Sequence, residues 1–179
     1  MDNPLSAYIK GGSDLTEKKK IGIFAGSFDP MTLGHLDLIK RSSRLFDEVI
    51  VLIAINTSKV ALFSARERLK LVEASIEDIS NATVDILEDG LVATYFSEKN
   101  ATAMIRGVRN TIDFEYESGI AIANHLQNPD LETVTLFADE KYRHLSSSLI
   151  KEIARFNGDI SQMVPERVAE AMQLKFANK

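Results

Sequence analysis

The residues best suited to chemistry lie in one run, Gly26-Ser27-Phe28-Asp29-Pro30-Met31-Thr32-Leu33-Gly34-His35. The run matches neither the G-x-x-x-x-G-K-[ST] loop nor the G-x-G-x-x-G turn that commonly cradle phosphates. It still holds the parts of an anion site. Gly26 lets a ligand approach the backbone, Ser27 offers a hydroxyl, and Thr32 can cap the helix that follows. Gly34 removes bulk from the first helical turn. His35 then lies near unpaired N–H groups and the positive end of the helix dipole. Two arginines within four residues, Arg106 and Arg109, supply forked donors that suit phosphate oxygens. Ser146-Ser147-Ser148 opens a helix whose capped N-terminus can hold phosphate, and Lys59 follows a strand. These groups bind and neutralise phosphate, and none is an activated nucleophile.

The elements that must position them alternate. Strand-like runs are expected over Ile21–Ala25, Glu48–Ile55, Ala82–Ile86, Thr102–Ile105 and Glu132–Phe137. Helical periodicity is expected over Leu33–Phe46, Ala65–Ile79, Leu91–Lys99, Asn110–Leu126, Ser147–Phe156 and Pro165–Phe176. The run at Glu48–Ile55 is apolar enough to be covered on both faces. Five strands with intervening helices predict an α/β fold, a Rossmann-like five-stranded parallel sheet with helices on both faces. In such sheets ligands sit beyond the carboxyl ends of the strands. Residues 1–20 carry Gly11-Gly12-Ser13, Lys18-Lys19-Lys20 and no apolar period, and read as a mobile tail outside a single domain at 21–179.

Composition narrows the function classes. The 179 residues are 45% hydrophobic and 26% charged, ordinary values for a globular domain. The net charge of -5 favours neither nucleic acid nor an anionic membrane surface. No Cys is present, which excludes disulfides and thiolate metal sites and fits a reducing cytoplasm. The longest apolar run, Val49–Ile55, is seven residues, well short of the ~20 that span a bilayer. No apolar stretch follows the basic residues near the start, so a secretory signal is not expected.

Gly-Ser-Phe-Asp-Pro followed by Thr-x-Gly-His resembles the nucleotidyltransferase superfamily related to class I aminoacyl-tRNA synthetases. Arg106-Gly107-Val108-Arg109, Asp113-Phe114-Glu115-Tyr116-Glu117 and Ser146-Ser147-Ser148-Leu149-Ile150-Lys151-Glu152 narrow the likeness to the bacterial phosphopantetheine adenylyltransferases. The resemblance covers Ile21 to about Lys175. It implies transfer of AMP from ATP to 4′-phosphopantetheine, giving dephospho-coenzyme A and pyrophosphate. It also implies Mg2+ as cofactor, without a protein metal ligand, and a homohexamer.

By the same resemblance His35 stabilises the transition state at the α-phosphate, as a neutral tautomer or as the cation. Ser27 touches both substrates, and the Phe28 N–H meets the nucleotide. Gly107, Val108, Arg109 and Glu117 line the ATP site together with Tyr142, Arg143, His144, Leu145, Ser146, Ser147 and Ser148. Lys59 holds the acceptor phosphate, and Arg106 binds phosphopantetheine. Leu91 and Val92 wall the pantetheine arm or belong to the core. Leu33, Tyr142, Leu145 and Val60-Ala61 depart from the commonest family pattern without removing a charged group. Three alternatives stand beside this reading. One is a superfamily enzyme using nicotinate mononucleotide or a cytidylyl donor, and another a nucleotide-binding or regulatory protein that has lost catalysis. The third, a purely structural module, leaves the phosphate-binding groups unexplained.

Overall fold

The computed structural model describes residues 18–55 and 60–177. Five strands, β1 (Ile21–Gly26), β2 (Glu48–Ala54), β3 (Ala82–Leu87), β4 (Ala103–Val108) and β5 (Thr133–Phe137), form one sheet. All neighbours are parallel and the order is β3-β2-β1-β4-β5. Six helices, α1 (Leu33–Ser42), α2 (Ala65–Ser75), α3 (Val92–Glu98), α4 (Thr111–Gln127), α5 (Ser147–Arg155) and α6 (Glu166–Ala177), alternate with or follow them. The expected parallel α/β architecture is the one observed.

Strand alternation builds the two cores. Phe24, Val49, Val51, Ile53 and Ile105 face α1, α2, α5 and α6, and meet Leu38, Ile39, Val72, Ile150, Val168 and Met172. Ile23, Ala25, Ile50, Leu52 and Met104 point the other way, onto Ala93, Tyr95 and Phe96 of α3 and onto Leu131. β1 and β2 are buried on both faces, which explains their nearly unbroken apolar sequence. In β4, a Cβ at Gly107 would collide with Leu38, so this glycine lets α1 pack closely on the strand.

Several boundaries differ from the periodicity. The helix expected to reach Phe46 stops at Ser42, where Leu45 and Phe46 donate to the Ser42 carbonyl and fold the chain into a turn. The helix expected to reach Ile79 stops at Ser75, and Ile79 bonds back to the Ile76 carbonyl. The fourth strand runs to Val108, three residues past its expected end, so Arg106 lies within the strand. Its neighbour β5 pairs with Arg106, Gly107 and Val108, and this pairing overrides the weak local signal of Arg-Gly. Lys20, assigned to the tail, accepts from the Asp47 and Glu48 amides, and Lys19 pairs with Glu48 at 2.7 Å. The rest of that segment, residues 1–17, lies outside the described residues. No helix among the described residues is long and apolar enough to cross a membrane.

Candidate active site

The strand order reverses at β1, which has β2 on one side and β4 on the other. A crevice is expected beyond the carboxyl ends at such a switch point. A cleft of about 370 Å3 opens there. β1 and its following turn supply Gly26 and Phe28, α1 supplies His35, and β4 supplies Arg106 and Gly107. Arg109, Glu117, Tyr142, Leu145, Ser146 and Ser147 complete the part of its wall that the sequence singled out. Groups spread from position 26 to position 147 therefore converge on one cavity.

His35 is the third residue of α1 and half of a capping box. Its backbone N–H donates to Thr32 Oγ1 at 3.2 Å, and the Thr32 N–H donates to His35 Nδ1 at 3.1 Å. Because Nδ1 accepts a backbone N–H, the ring proton sits on Nε2. The imidazole packs edge-on to Phe28, with centroids 5.2 Å apart, and lies 6.3 Å from the Phe24 ring. Burial lowers its pKa to about 4, and the nearby Arg109 charge acts in the same direction. Of the two protonation states left open by the sequence, burial favours the neutral one at neutral pH.

This shift has a measurable consequence. The unfolded chain binds a proton at this group below about pH 6.5, whereas the folded protein resists it until about pH 4. Stability is therefore undiminished above pH 6.5 and falls as pH drops through the window between them. A carbon-detected NMR titration of His35 is expected to give a midpoint near 4; a midpoint near 6.5 would refute the neutral assignment.

Each cleft arginine is held by a carboxylate and a carbonyl. Arg106 Nε lies 3.1 Å from Glu117 Oε2, and its NH1 donates to the Ala25 carbonyl at 3.0 Å. Burial raises the Glu117 pKa and the Asp113 charge adds to this, while Arg106 opposes them. Arg109 makes a forked pair with Asp113, at 2.7 and 3.0 Å, and donates NH1 to the Leu145 carbonyl at 2.9 Å. Those hydrogen bonds, with the Arg109 charge beside them, hold the Asp113 pKa below its usual value. Arg143 Nε braces the Arg109 carbonyl at 2.9 Å.

The turn after β1 is anchored by α2, α5 and the residues leading into α2. Phe28 adopts a left-handed backbone, φ 47°, offset by the burial of its ring against Phe24. Asp29, only 5% exposed, accepts from the Leu62 and Phe63 amides, both at 2.9 Å, and from Lys151 Nζ at 3.1 Å. Arg68 NH1 donates to the Ser27 carbonyl at 2.8 Å, and Ser147 Oγ donates to the Pro30 carbonyl at 2.8 Å. The three serines thus have three settings. Ser146 caps α5 by accepting from the Leu149 amide, Ser147 ties down the turn, and Ser148 is exposed. The first-turn amides of α5 lack intrahelical partners, and Ser146 and Ser147 set that helix end in the cleft wall.

Some singled-out residues lie elsewhere. Ser27 is exposed, between two residues that line the cleft. Val108 is buried in β4, and Arg143 and His144 are exposed and do not line the cleft. Leu91 caps α3 and is 57% exposed, while Val92 packs on the core beneath that helix. Lys59 lies outside the described residues. Sequence reasoning missed Arg68, Lys151 and the positioning part of Asp29 and Asp113. The two aspartates and Lys151 were within its motifs, and Arg68 sat on an apolar stripe, four residues before Val72.

Comparison with known proteins agrees with this geometry. The cytidylyltransferase-like family profile matches residues 23–153. Phosphopantetheine adenylyltransferase of Levilactobacillus brevis is 50% identical over 152 residues, covering 85% of this chain and 94% of the relative. The enzyme of the same name from Caldanaerobacter subterraneus is 47% identical over 157 residues, 88% of this chain and 98% of its own. A crystal structure from Vibrio parahaemolyticus, assigned to nicotinate-nucleotide adenylyltransferase, superposes with a TM-score of 0.70. It covers 90% of this chain and 98% of its own, at 22% identity, a likeness of fold.

Proposed function

The chain belongs to the phosphopantetheine adenylyltransferases of the cytidylyltransferase-like family, and on that premise we propose how its residues carry out the reaction. The enzyme transfers AMP from ATP to 4′-phosphopantetheine, giving dephospho-coenzyme A and pyrophosphate, a step of coenzyme A biosynthesis. The observation that carries the mechanism is the convergence of His35, Arg106, Arg109 and the start of α5 on one cleft at the sheet's switch point.

An acceptor phosphate oxygen attacks the α-phosphorus in line as the bond to pyrophosphate breaks. Positioning and charge neutralisation do the work, and no covalent enzyme intermediate is needed. His35 donates Nε2–H to a non-bridging α-phosphate oxygen, where negative charge grows. Arg109 and the α5 amides take the β- and γ-phosphates, and Ser27 and the Phe28 N–H guide both substrates. Arg106 and Lys59 hold the acceptor phosphate, and exposed Leu91 borders the pantetheine arm with Val92 in the core beneath it. Glu117, Gly107, Tyr142 and Leu145 line the nucleoside end. Arg143, which braces the Arg109 carbonyl, and buried Val108 support that wall from behind.

Among the described residues no cluster of three His, Asp or Glu side chains could hold a metal. When bound, Mg2+ would accompany the ATP phosphates and offset their charge, beside Arg109 and the α5 amides. A homohexamer is supported by α4, none of whose 17 residues is buried. Ile112, Tyr116, Gly119, Ala123 and Leu126 recur at helical spacing along its outer side, and all five are exposed. A second copy of the chain would cover that stripe. A cytoplasmic location is supported by the substrates and by the absence of Cys.

Arg106→Met tests the division of labour. It is expected to raise the KM for 4′-phosphopantetheine by roughly 10- to 100-fold, the worth of charge-assisted hydrogen bonds. The KM for ATP should change by less than about threefold. Equal loss for both substrates would remove Arg106 from the acceptor site.

A further inference from the structure

Among the described residues, Arg68 is a buried cation without an ion-pair partner. It lies on α2, 5% exposed, and its NH1 donates to the Ser27 carbonyl at 2.8 Å. Its Nε is buried and has no hydrogen-bond partner. None of the ion pairs among the described residues includes it. The other buried charge on this side, Asp29, is already engaged by two amides and Lys151. The segment 56–59, Asn-Thr-Ser-Lys, contains no acid. An unpaired buried charge is destabilising in the resting protein and gains most from an anion brought close to it.

We propose that Arg68 is a positioning residue whose charge, relayed through the Ser27 carbonyl it grips, is balanced by the phosphates that bind in the cleft. This rests on the functional reading above, since the anion is the substrate's or the product's phosphate. Arg68 lines no part of the cleft, whereas Gly26 and Phe28, on either side of Ser27, both do. Its hydrogen bond fixes the turn between them, and its field raises the affinity of that turn for anions. The cost of burying the charge falls on the empty enzyme and is relieved on binding.

Charge and hydrogen bonding separate in two variants. Arg68→Gln removes the charge and keeps an N–H donor, and Arg68→Lys keeps the charge and loses the fork. Calorimetric titration with inorganic pyrophosphate and with ATP is expected to show binding weakened roughly 10- to 30-fold in Arg68→Gln. That factor corresponds to one charge about 8–12 Å from the ligand at an effective dielectric near 20. Arg68→Lys should stay within about threefold of the wild type. Without ligand, Arg68→Gln should melt within about 2 °C of the wild type or above it.

Unchanged pyrophosphate affinity in Arg68→Gln would overturn the proposal. So would equal losses in both variants, or failure of the neutral variant to fold, because each makes the guanidinium a structural group. If the wild type bound pyrophosphate but formed no dephospho-coenzyme A, the reaction would be wrong while the titrations still decided the role of Arg68.

Discussion

Replacing His35 by Ala is expected to lower kcat for adenylyl transfer by roughly 10²–10³-fold, the effect of removing one preorganised donor to a developing oxyanion. The KM for ATP should move little, because this donor contributes most when charge has accumulated on the α-phosphate. The substitution also removes one half of the capping box between Thr32 and His35. Stability should fall by about 1 kcal/mol for that reason, too little to abolish folding. Steady-state kinetics beside a thermal melt separate the two effects. Wild-type turnover in a folded His35→Ala protein would remove the residue from the chemistry.

Asp29→Ala should give the largest loss of stability. The Asp29 carboxylate accepts from the Leu62 and Phe63 amides and from Lys151, so one truncation leaves three donors without their acceptor. Breaking a buried pair by removing one member costs about 3–5 kcal/mol. For a domain of this size that corresponds to a fall in Tm of roughly 6–20 °C. Asp29→Asn keeps an acceptor oxygen and should lose less. A melt of Asp29→Ala within about 2 °C of the wild type would show that the turn is held by other contacts.

The parts of this protein that were legible in its sequence are those where local pattern and tertiary setting agree. β1 and β2 read correctly because strands buried on both faces need unbroken apolar runs. Thr32 announced the start of α1 because Thr is both a good cap and the first residue of the Thr-x-Gly-His motif. The end of β4 was hidden, because pairing with β5, not local propensity, keeps Arg106 and Gly107 extended.

The support beneath the cleft was hidden for a different reason. Asp29 meets partners 33, 34 and 122 positions away, separations that no short motif records. Arg68 sits in the run Arg66-Glu67-Arg68, which resembles a solvated face. Its place on the same stripe as Val72 and Ile76 was the one signal of its burial. The outer stripe of α4 posed the opposite problem, since an apolar face that a partner copy would cover looks the same in sequence as one covered within the chain.

Acceptor-dependent pyrophosphate release tests the central claim most directly. With ATP, Mg2+ and 4′-phosphopantetheine, the expected result is one pyrophosphate for each dephospho-coenzyme A detected by mass, and no release without the acceptor. Release that ignores 4′-phosphopantetheine, or that needs nicotinate mononucleotide in its place, would contradict the assignment.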